Sequence, residues 1–338
     1  MKTNLNNKSI MITGGTGSFG STFIESILKN YRPKRLIIFS RDEQKHFKMQ
    51  ERFSDDPPSP IRYFLGDVRD LDRLNFAMQN VDIVIHTAAL KHVPLAEYNP
   101  FEVVKTNILG AQNIIQSAIQ NNVKKVIALS TDKASSPINL YGATKLVSDK
   151  LFIAANNYKG DSRIKFSVVR YGNVMGSKGS FISYLMKNKD KKSVNVTHQE
   201  MTRFNITLEE SINFVFSCIE KMWGGEIFVP KIPSYKVTDV VKAINPKAKI
   251  NITGIRPGEK KHEEMISIDD AKNTLEFKDY FVIVPKSKFL NWDKTKYLKS
   301  HKNCKNCKDN FYYNSKENSK FLTPLERRKI LKNSQIIY

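Results

Sequence analysis

Short apolar runs alternate with helix-period patterns through the first 175 residues of the chain. SIMIT at 9–13, RLIIFS at 35–40, RYFLG at 62–66, VDIVIHT at 81–87, KKVIALS at 124–130 and FSVVRYG at 166–172 each read as a strand. Their near-continuous hydrophobicity, without strict alternation, is that of strands covered on both faces. Between them the apolar residues recur at helical spacing, as in Phe19, Phe23, Ile24 and Ile27. Strands alternating with helices in this way predict an α/β fold built on a doubly wound parallel sheet, whose ligands bind at the carboxyl ends of the strands. After Asn173 the rhythm changes to a Gly/Ser/Lys-rich loop, a short strand in VNVTHQEM, a helix over about 208–222, a strand in GGEIFVP and a helix in KVTDVVKAI. We expect a nucleotide-binding unit over 1–172, with about 203–230 returning to it, and a smaller substrate-binding segment with a basic tail over 173–338. DDPPSP at 55–60 reads as a surface turn.

Composition narrows the classes. No window of about 18 apolar residues exists, and the polar start MKTNLNNKSI does not resemble a signal peptide, so a soluble, cytoplasmic protein without a membrane span is expected. Three cysteines, with Cys218 inside an apolar helical pattern, fit a reducing compartment. The net charge is +22, and 14 Lys/Arg against 4 Asp/Glu from Lys286 onward place a large part of it in the tail. That tail carries Phe289, Trp292, Tyr297, Phe311, Tyr312 and Tyr313, the composition of an RNA-binding arm or of a solvated lysine-rich surface. No nucleic-acid-binding spacing accompanies the charge, so no nucleic-acid partner is expected. Cys304 and Cys307 with His301 offer three metal ligands where a structural zinc site needs four. No metal is expected there, and the CKNC stretch reads as a solvent-exposed loop.

The chemistry lies at the strand ends. Gly14-Gly15-Thr16-Gly17-Ser18-Phe19-Gly20 follows the first strand and opens a helix. Gly14 permits a tight turn, Gly17 lets a pyrophosphate approach the helix N-terminus, and Gly20 permits close packing of helix on strand, which together make a Rossmann-type dinucleotide site. At the end of the second strand stand Ser40, Arg41, Asp42 and Glu43, with Lys45 one turn on. Arg41 and Lys45 suit a ribose 2′-phosphate and predict NADP over NAD, although Asp42 would suit NAD. Asp67 and Val68, beyond the third strand, are placed to meet the adenine. Tyr141 and Lys145 lie one helical turn apart, a spacing in which an ammonium can stabilise a phenolate acting as general base.

The chain resembles the inverting UDP-N-acetylglucosamine 4,6-dehydratases, extended short-chain dehydrogenases/reductases that begin pseudaminic acid synthesis. The resemblance is carried by TGGTGSFG, FSRDE, GDVRD, AALKHVPLAEYNP, STDKA, PINLYGATKL, VVRYGNV, MTRF, GGEIFVPKIPS and IRPGEK, from about residue 8 to 285. It implies that Tyr141 takes the proton of the C4 hydroxyl while NADP takes the hydride, and that the ketone so formed acidifies C5. Lys133, neutral in a desolvated pocket, would remove the C5 proton, and Asp132, protonated, would serve the departing C6 hydroxyl. Thr131 would orient the C4 oxygen. The related retaining dehydratases have a glutamate in place of Lys133, so this lysine predicts inversion at C5. The resemblance further implies substrate contacts from Lys91, Asn173, Lys178, Thr197, Arg256 and Glu259, cofactor contacts from Thr87, Ala88 and Val174, and a homo-oligomer. Thr87 departs from the usual alanine beside the nicotinamide. His86, His92 and His262 read as packing or surface residues. Two readings stay open: a retaining dehydratase or 4-epimerase on another nucleotide sugar, and a non-catalytic NADP-binding protein whose basic tail binds RNA.

Overall fold

The computed structural model describes residues 4–177, 179–285, 292–301 and 303–333. The chain opens with β1 (Ser9–Thr13), α1 (Ser18–Asn30), β2 (Arg35–Ser40), α2 (Glu43–Arg52), β3 (Ile61–Leu65), α3 (Leu71–Ala77) and β4 (Ile83–His86). Short helices α4 (Val93–Tyr98) and α5 (Pro100–Val104) lead through a π-helical turn at Lys105–Leu109 into α6 (Gly110–Gln120). Then come β5 (Lys125–Thr131), a 3-10 turn at Asp132–Ala134, α7 (Leu140–Ala154) and β6 (Lys165–Tyr171). All six strands expected from the apolar runs are present. β1 lies between β2 and β4, so the chain builds outward in one direction to β3 and then in the other through β4, β5 and β6. That reversal opens a crevice at the strand ends beside β1, where a doubly wound sheet binds its ligand.

The second half supplies β7 (Asn173–Val174), α8 (Phe181–Lys187), β8 (Ser193–Val196), β9 (Thr202–Ile206), α9 (Leu208–Lys221), β10 (Ile227–Pro230), β11 (Ser234–Lys236) and α10 (Val237–Ile244). It continues with β12 (Lys249–Ile252), β13 (Glu264–Ile266), β14 (Thr274–Glu276), β15 (Tyr280–Ile283), α11 (Lys294–Ser300), β16 (Lys305–Asn306), β17 (Tyr313–Asn314) and α12 (Pro324–Asn333). β10 joins β6 in parallel, and β15, β14 and β16 follow antiparallel, closing a sheet of 10 strands. More of the second half therefore returns to the sheet than 203–230. Thr207 and Glu210 form a capping box that starts α9, and α9 covers the sheet beside α1. A separate small core gathers α8, α10 and α12 around Leu185, Val240, Val241 and Leu331.

Two tail expectations are corrected. Lys305 and Asn306 of CKNC are the edge strand β16, and Cys304 and Cys307 pack against the main core, so the stretch is not a free loop. Of the tail aromatics, Tyr297 and Tyr313 are buried, while Trp292 and Phe311 pack against the same core. Tyr297 stacks on His301 and meets Trp223 edge-on, so these rings serve burial of apolar area and not display to a partner. Phe289 lies outside the described residues. All three cysteines are free, and among the described residues no cluster of metal-ligating side chains forms and no helix is long and apolar enough to cross a membrane.

Candidate active site

A cavity of about 750 Å³ runs along the strand ends, from the glycine loop to the end of β5. Its first half is shaped by residues that have no side chain to spare. Gly14 adopts φ +65°, and a Cβ there would come within 3.0 Å of the Ala88 backbone. A Cβ on Gly20 would lie 2.5 Å from Gly15, so α1 rests directly on the loop. Gly17 caps α1 without a side chain, which leaves the first-turn N–H groups facing the cavity as a dipole end suited to phosphate. The donor set and the shape therefore fit a dinucleotide.

Of the cofactor residues expected from sequence, Gly14, Thr16, Gly17, Ser18, Phe19, Gly20, Ser40, Arg41, Lys45, Asp67, Val68, Thr87, Ala88, Tyr141, Lys145 and Val174 all line this cavity. Asp42 and Glu43 do not. Asp42 caps α2 by accepting from the Lys45 N–H, and its carboxylate also holds the Lys45 ammonium, which keeps its pKa low. Glu43 points to solvent in the first turn of α2. The Thr87 hydroxyl donates to the Thr13 carbonyl at 2.7 Å, so this departure from alanine is turned into the β1 backbone.

The other half of the cavity holds the proton-transfer groups. Thr131 ends β5, and its hydroxyl donates to Asp132 Oδ1 at 3.0 Å. Lys133 Nζ donates to Asp132 Oδ1 at 3.2 Å and to Glu263 Oε1 at 2.8 Å. Asp132 and Glu263 are each 1% exposed. Burial raises the Asp132 pKa against the opposing charge of Lys133, a shift towards the neutral acid. Burial alone would pull the Lys133 pKa down, but Asp132 and Glu263 outweigh it and hold the amine above its ordinary value. The neutral lysine expected from desolvation is thus corrected: the acidic groups beside it, Glu263 nearest at 2.8 Å, keep it an ammonium.

α7 brings Tyr141 alongside because Gly142 has no side chain; a Cβ there would strike the Lys133 carbonyl at 2.2 Å. Burial pushes the Tyr141 phenol up to about 12, opposed by the Lys133 charge and a hydrogen bond with Thr131. Lys145 is 3% exposed, and burial pulls its pKa down, with Asp149 opposing. Asp149 also accepts from Ser130 at 2.8 Å and from Arg170 at 3.1 Å, which anchors α7 to β5 and β6. Asn107, in the π-helical turn, exchanges hydrogen bonds with the Leu90 backbone and donates to Thr144, tying the loop before α4 to the same helix.

Lys91 and Asn173 line the cavity, whereas Thr197, Arg256 and Glu259 lie outside its walls. The Thr197 hydroxyl donates to the Met201 sulfur. Arg256 is exposed and 4.0 Å from Glu259, which itself stands 3.8 Å from Arg203. Lys178 lies outside the described residues. Of the histidines, His86 is buried with its ring nitrogen 2.8 Å from the Thr13 hydroxyl, His92 caps α4, and His262 meets Thr202 at 2.8 Å. Sequence reasoning missed Glu263 and the buried Arg203. The only signal for Glu263 was the acidic pair following IRPGEK, at a separation that no spacing rule spans.

Comparison with known proteins agrees with this geometry. A family signature described as "Polysaccharide biosynthesis protein" matches residues 10–285. A UDP-N-acetylglucosamine 4,6-dehydratase (inverting) of Campylobacter jejuni is 51% identical over 98% of this chain and 99% of its own. A UDP-glucose 4-epimerase of Rickettsia canadensis is 40% identical over 85% of this chain and 86% of its own. Among solved structures, Pen from Bacillus thuringiensis superposes with a TM-score of 0.89 at 36% identity, covering 99% of each chain.

Proposed function

The chain belongs to the polysaccharide biosynthesis protein family, and from that premise we propose that it removes water from UDP-N-acetylglucosamine across C5 and C6, with inversion at C5. The observation that carries the reading is Asp132 and Lys133 beside Tyr141 in one cavity. An epimerase needs a base and an orienting cation at C4, but it has no use for a buried neutral acid and a second lysine. A non-catalytic binder would need none of these groups, and Trp292, Tyr297, Phe311 and Tyr313 of the tail, which its RNA arm would require, pack in or against the protein core.

The dinucleotide is held by the glycine loop and the N-terminus of α1. Arg41 and Lys45, at the end of β2 and in the first turn of α2, would hold a ribose 2′-phosphate and favour NADP over NAD. When bound, the dinucleotide would supply the hydride chemistry that the reaction needs at C4 and C6 of the sugar. Tyr141 takes the C4 hydroxyl proton, with Thr131 fixing the oxygen and the nearby positive charge easing phenolate formation. Asp132 supplies a proton to the leaving C6 hydroxyl, and Lys133 handles the proton at C5. Lys91 and Asn173 meet the anionic and hydroxylated parts of the substrate; Thr197, Arg256 and Glu259 would complete those contacts from outside the cavity walls, and Lys178 lies outside the described residues. The product, a 4-keto-6-deoxy sugar of L-configuration, suits the first step towards pseudaminic acid.

Three free cysteines fit a cytoplasmic location. Leu95, Tyr98, Phe101 and Val147, exposed on α4, α5 and α7, suit burial between copies of a homo-oligomer. Incubation of purified protein with UDP-N-acetylglucosamine should give a product one water lighter, tighter binding of NADP than of NAD, and no net change in cofactor oxidation state. A C4 epimer of unchanged mass would favour the epimerase.

A further inference from the structure

A buried carboxylate that the proposed reaction does not account for lies behind Lys133. Glu263 precedes β13 and reaches Lys133 Nζ at 2.8 Å, closer than Asp132 does. Its backbone is fixed on both sides by Ser315: the Glu263 N–H donates to the Ser315 hydroxyl, and the Ser315 N–H donates to the Glu263 carbonyl. Such clamping sets the side chain rigidly against the lysine. One oxygen on each carboxyl, Glu263 Oε2 and Asp132 Oδ2, is buried with no hydrogen-bond partner among the described residues.

We infer that Glu263 is a positioning residue for the elimination, the proton acceptor behind Lys133, so that the amine takes the C5 proton as one of its own protons passes to Glu263. This rests on the dehydratase reading. The bookkeeping closes. At C5 a C–H bond breaks and an N–H bond forms at Lys133; an N–H bond of the same amine breaks and an O–H bond forms at Glu263. At C6 the C–O bond breaks, and the proton of Asp132 leaves with the hydroxyl as water. The trio begins as neutral Asp132, charged Lys133 and charged Glu263, and ends as charged Asp132, charged Lys133 and neutral Glu263. Net charge in the buried corner never changes, which spares the step the cost of creating an unpaired charge there.

The electrostatic surroundings support this starting state. Asp132 and Lys133 face Glu263 from the 3-10 turn, Arg203 from β9 at 3.7 Å, and Lys260 from its own loop, with Tyr141 across Lys133 on α7. Burial raises the Glu263 pKa, but Lys133 and Arg203 outweigh it and hold it below the ordinary carboxylate range. Glu263 therefore starts as the charged carboxylate of the trio.

The test uses the full chain with its dinucleotide, comparing Glu263→Gln and Glu263→Asp with the parent. Two signals are followed after adding UDP-N-acetylglucosamine: reduced nicotinamide, which reads C4 oxidation by Tyr141, and loss of water. In the glutamine variant the elimination should fall about 100-fold, with KM and the C4 oxidation signal unchanged. Its residual rate should climb about tenfold per pH unit between pH 7 and 9, since Lys133 must now shed its proton to water, where the parent profile is flat. The aspartate should recover at least about a tenth of the parent rate and the flat profile. Elimination unaffected in the glutamine variant, oxidation and elimination lost in equal measure, or an aspartate no better than the glutamine would each overturn the inference. If the glutamine variant does not fold, the aspartate alone decides by rate and profile. A parent protein that yields no dehydrated product would instead overturn the function itself.

Discussion

Two lysines share the cavity and are pushed in opposite directions. Lys133, in the turn after β5, is bracketed by Asp132 and Glu263 and held as an ammonium above its ordinary range. Lys145, one helix away on α7, is buried with only Asp149 to offset the loss of water, and that carboxylate is already engaged by Arg170, so its pKa drops. The same amine thus receives two tasks from two neighbourhoods. In the proposed reaction Lys145 serves Tyr141 in oxidation at C4, and Lys133 belongs to a charge-balanced trio that serves C5 and C6. The difference teaches that burial alone does not set a lysine's pKa, because the acidic groups beside it decide the direction of the shift.

The sharpest way to break the comparison is to remove the oxidation half. Tyr141→Phe should lower turnover by about 10⁴ and abolish the reduced-nicotinamide signal, since every later step needs the ketone. Turnover within tenfold of the parent would show that another base serves C4. The elimination half is next. Lys133→Ala should lower water loss by about 10³ while C4 oxidation persists. It should also destabilise the protein by about 3 kcal/mol, because Glu263 is left buried opposite Asp132 without its cation. An unchanged melting temperature would mean that the trio is more solvated than its burial indicates.

These two expectations differ in how far the sequence announced them. The strands were legible because parallel strands covered on both faces must be apolar throughout, and runs such as SIMIT and RLIIFS have no other economical fate. Tyr141, Lys145, Asp132 and Lys133 were legible because each belongs to a short local spacing. Glu263 was not, since it meets Lys133 only through the packing of β13 on the turn after β5. For the same reason the charge of Lys133 was misjudged: with its second carboxylate out of sight, desolvation looked decisive. The tail was misread by composition, because Trp292, Tyr297 and Tyr313 sit among lysines in the chain but face inward in space. β14 to β16 escaped notice because strands of two to four residues leave almost no periodicity.

Beneath Lys145 lies a third titrating group that sharpens the picture of a dry α7 side. Burial pushes the His86 pKa down to about 3, with the Lys145 charge adding to the effect. Its folded pKa is lowered, so between about pH 6.5 and 3 the unfolded chain binds a proton that the native protein refuses, and stability falls as pH falls through that window. The loss should reach about 4 kcal/mol by pH 3. His86→Gln, which keeps a hydrogen-bonding side chain, should flatten that part of a denaturation profile; an unchanged profile would place water beside the ring. The smallest effect concerns the cofactor half of the cavity. Arg41→Ala should weaken NADP about tenfold while changing NAD by less than about twofold, as read by calorimetry. Equal losses for both would assign Arg41 to Asp67, 3.4 Å away, instead of to a 2′-phosphate.

The account as a whole turns on what happens at C5. Proton NMR of the product formed from UDP-N-acetylglucosamine in heavy water tests it most directly. Inversion predicts a 4-keto-6-deoxy sugar with deuterium at C5 and coupling constants of the L-arabino configuration. Retention of the D-configuration at C5, or a C4 epimer without loss of water, would contradict it.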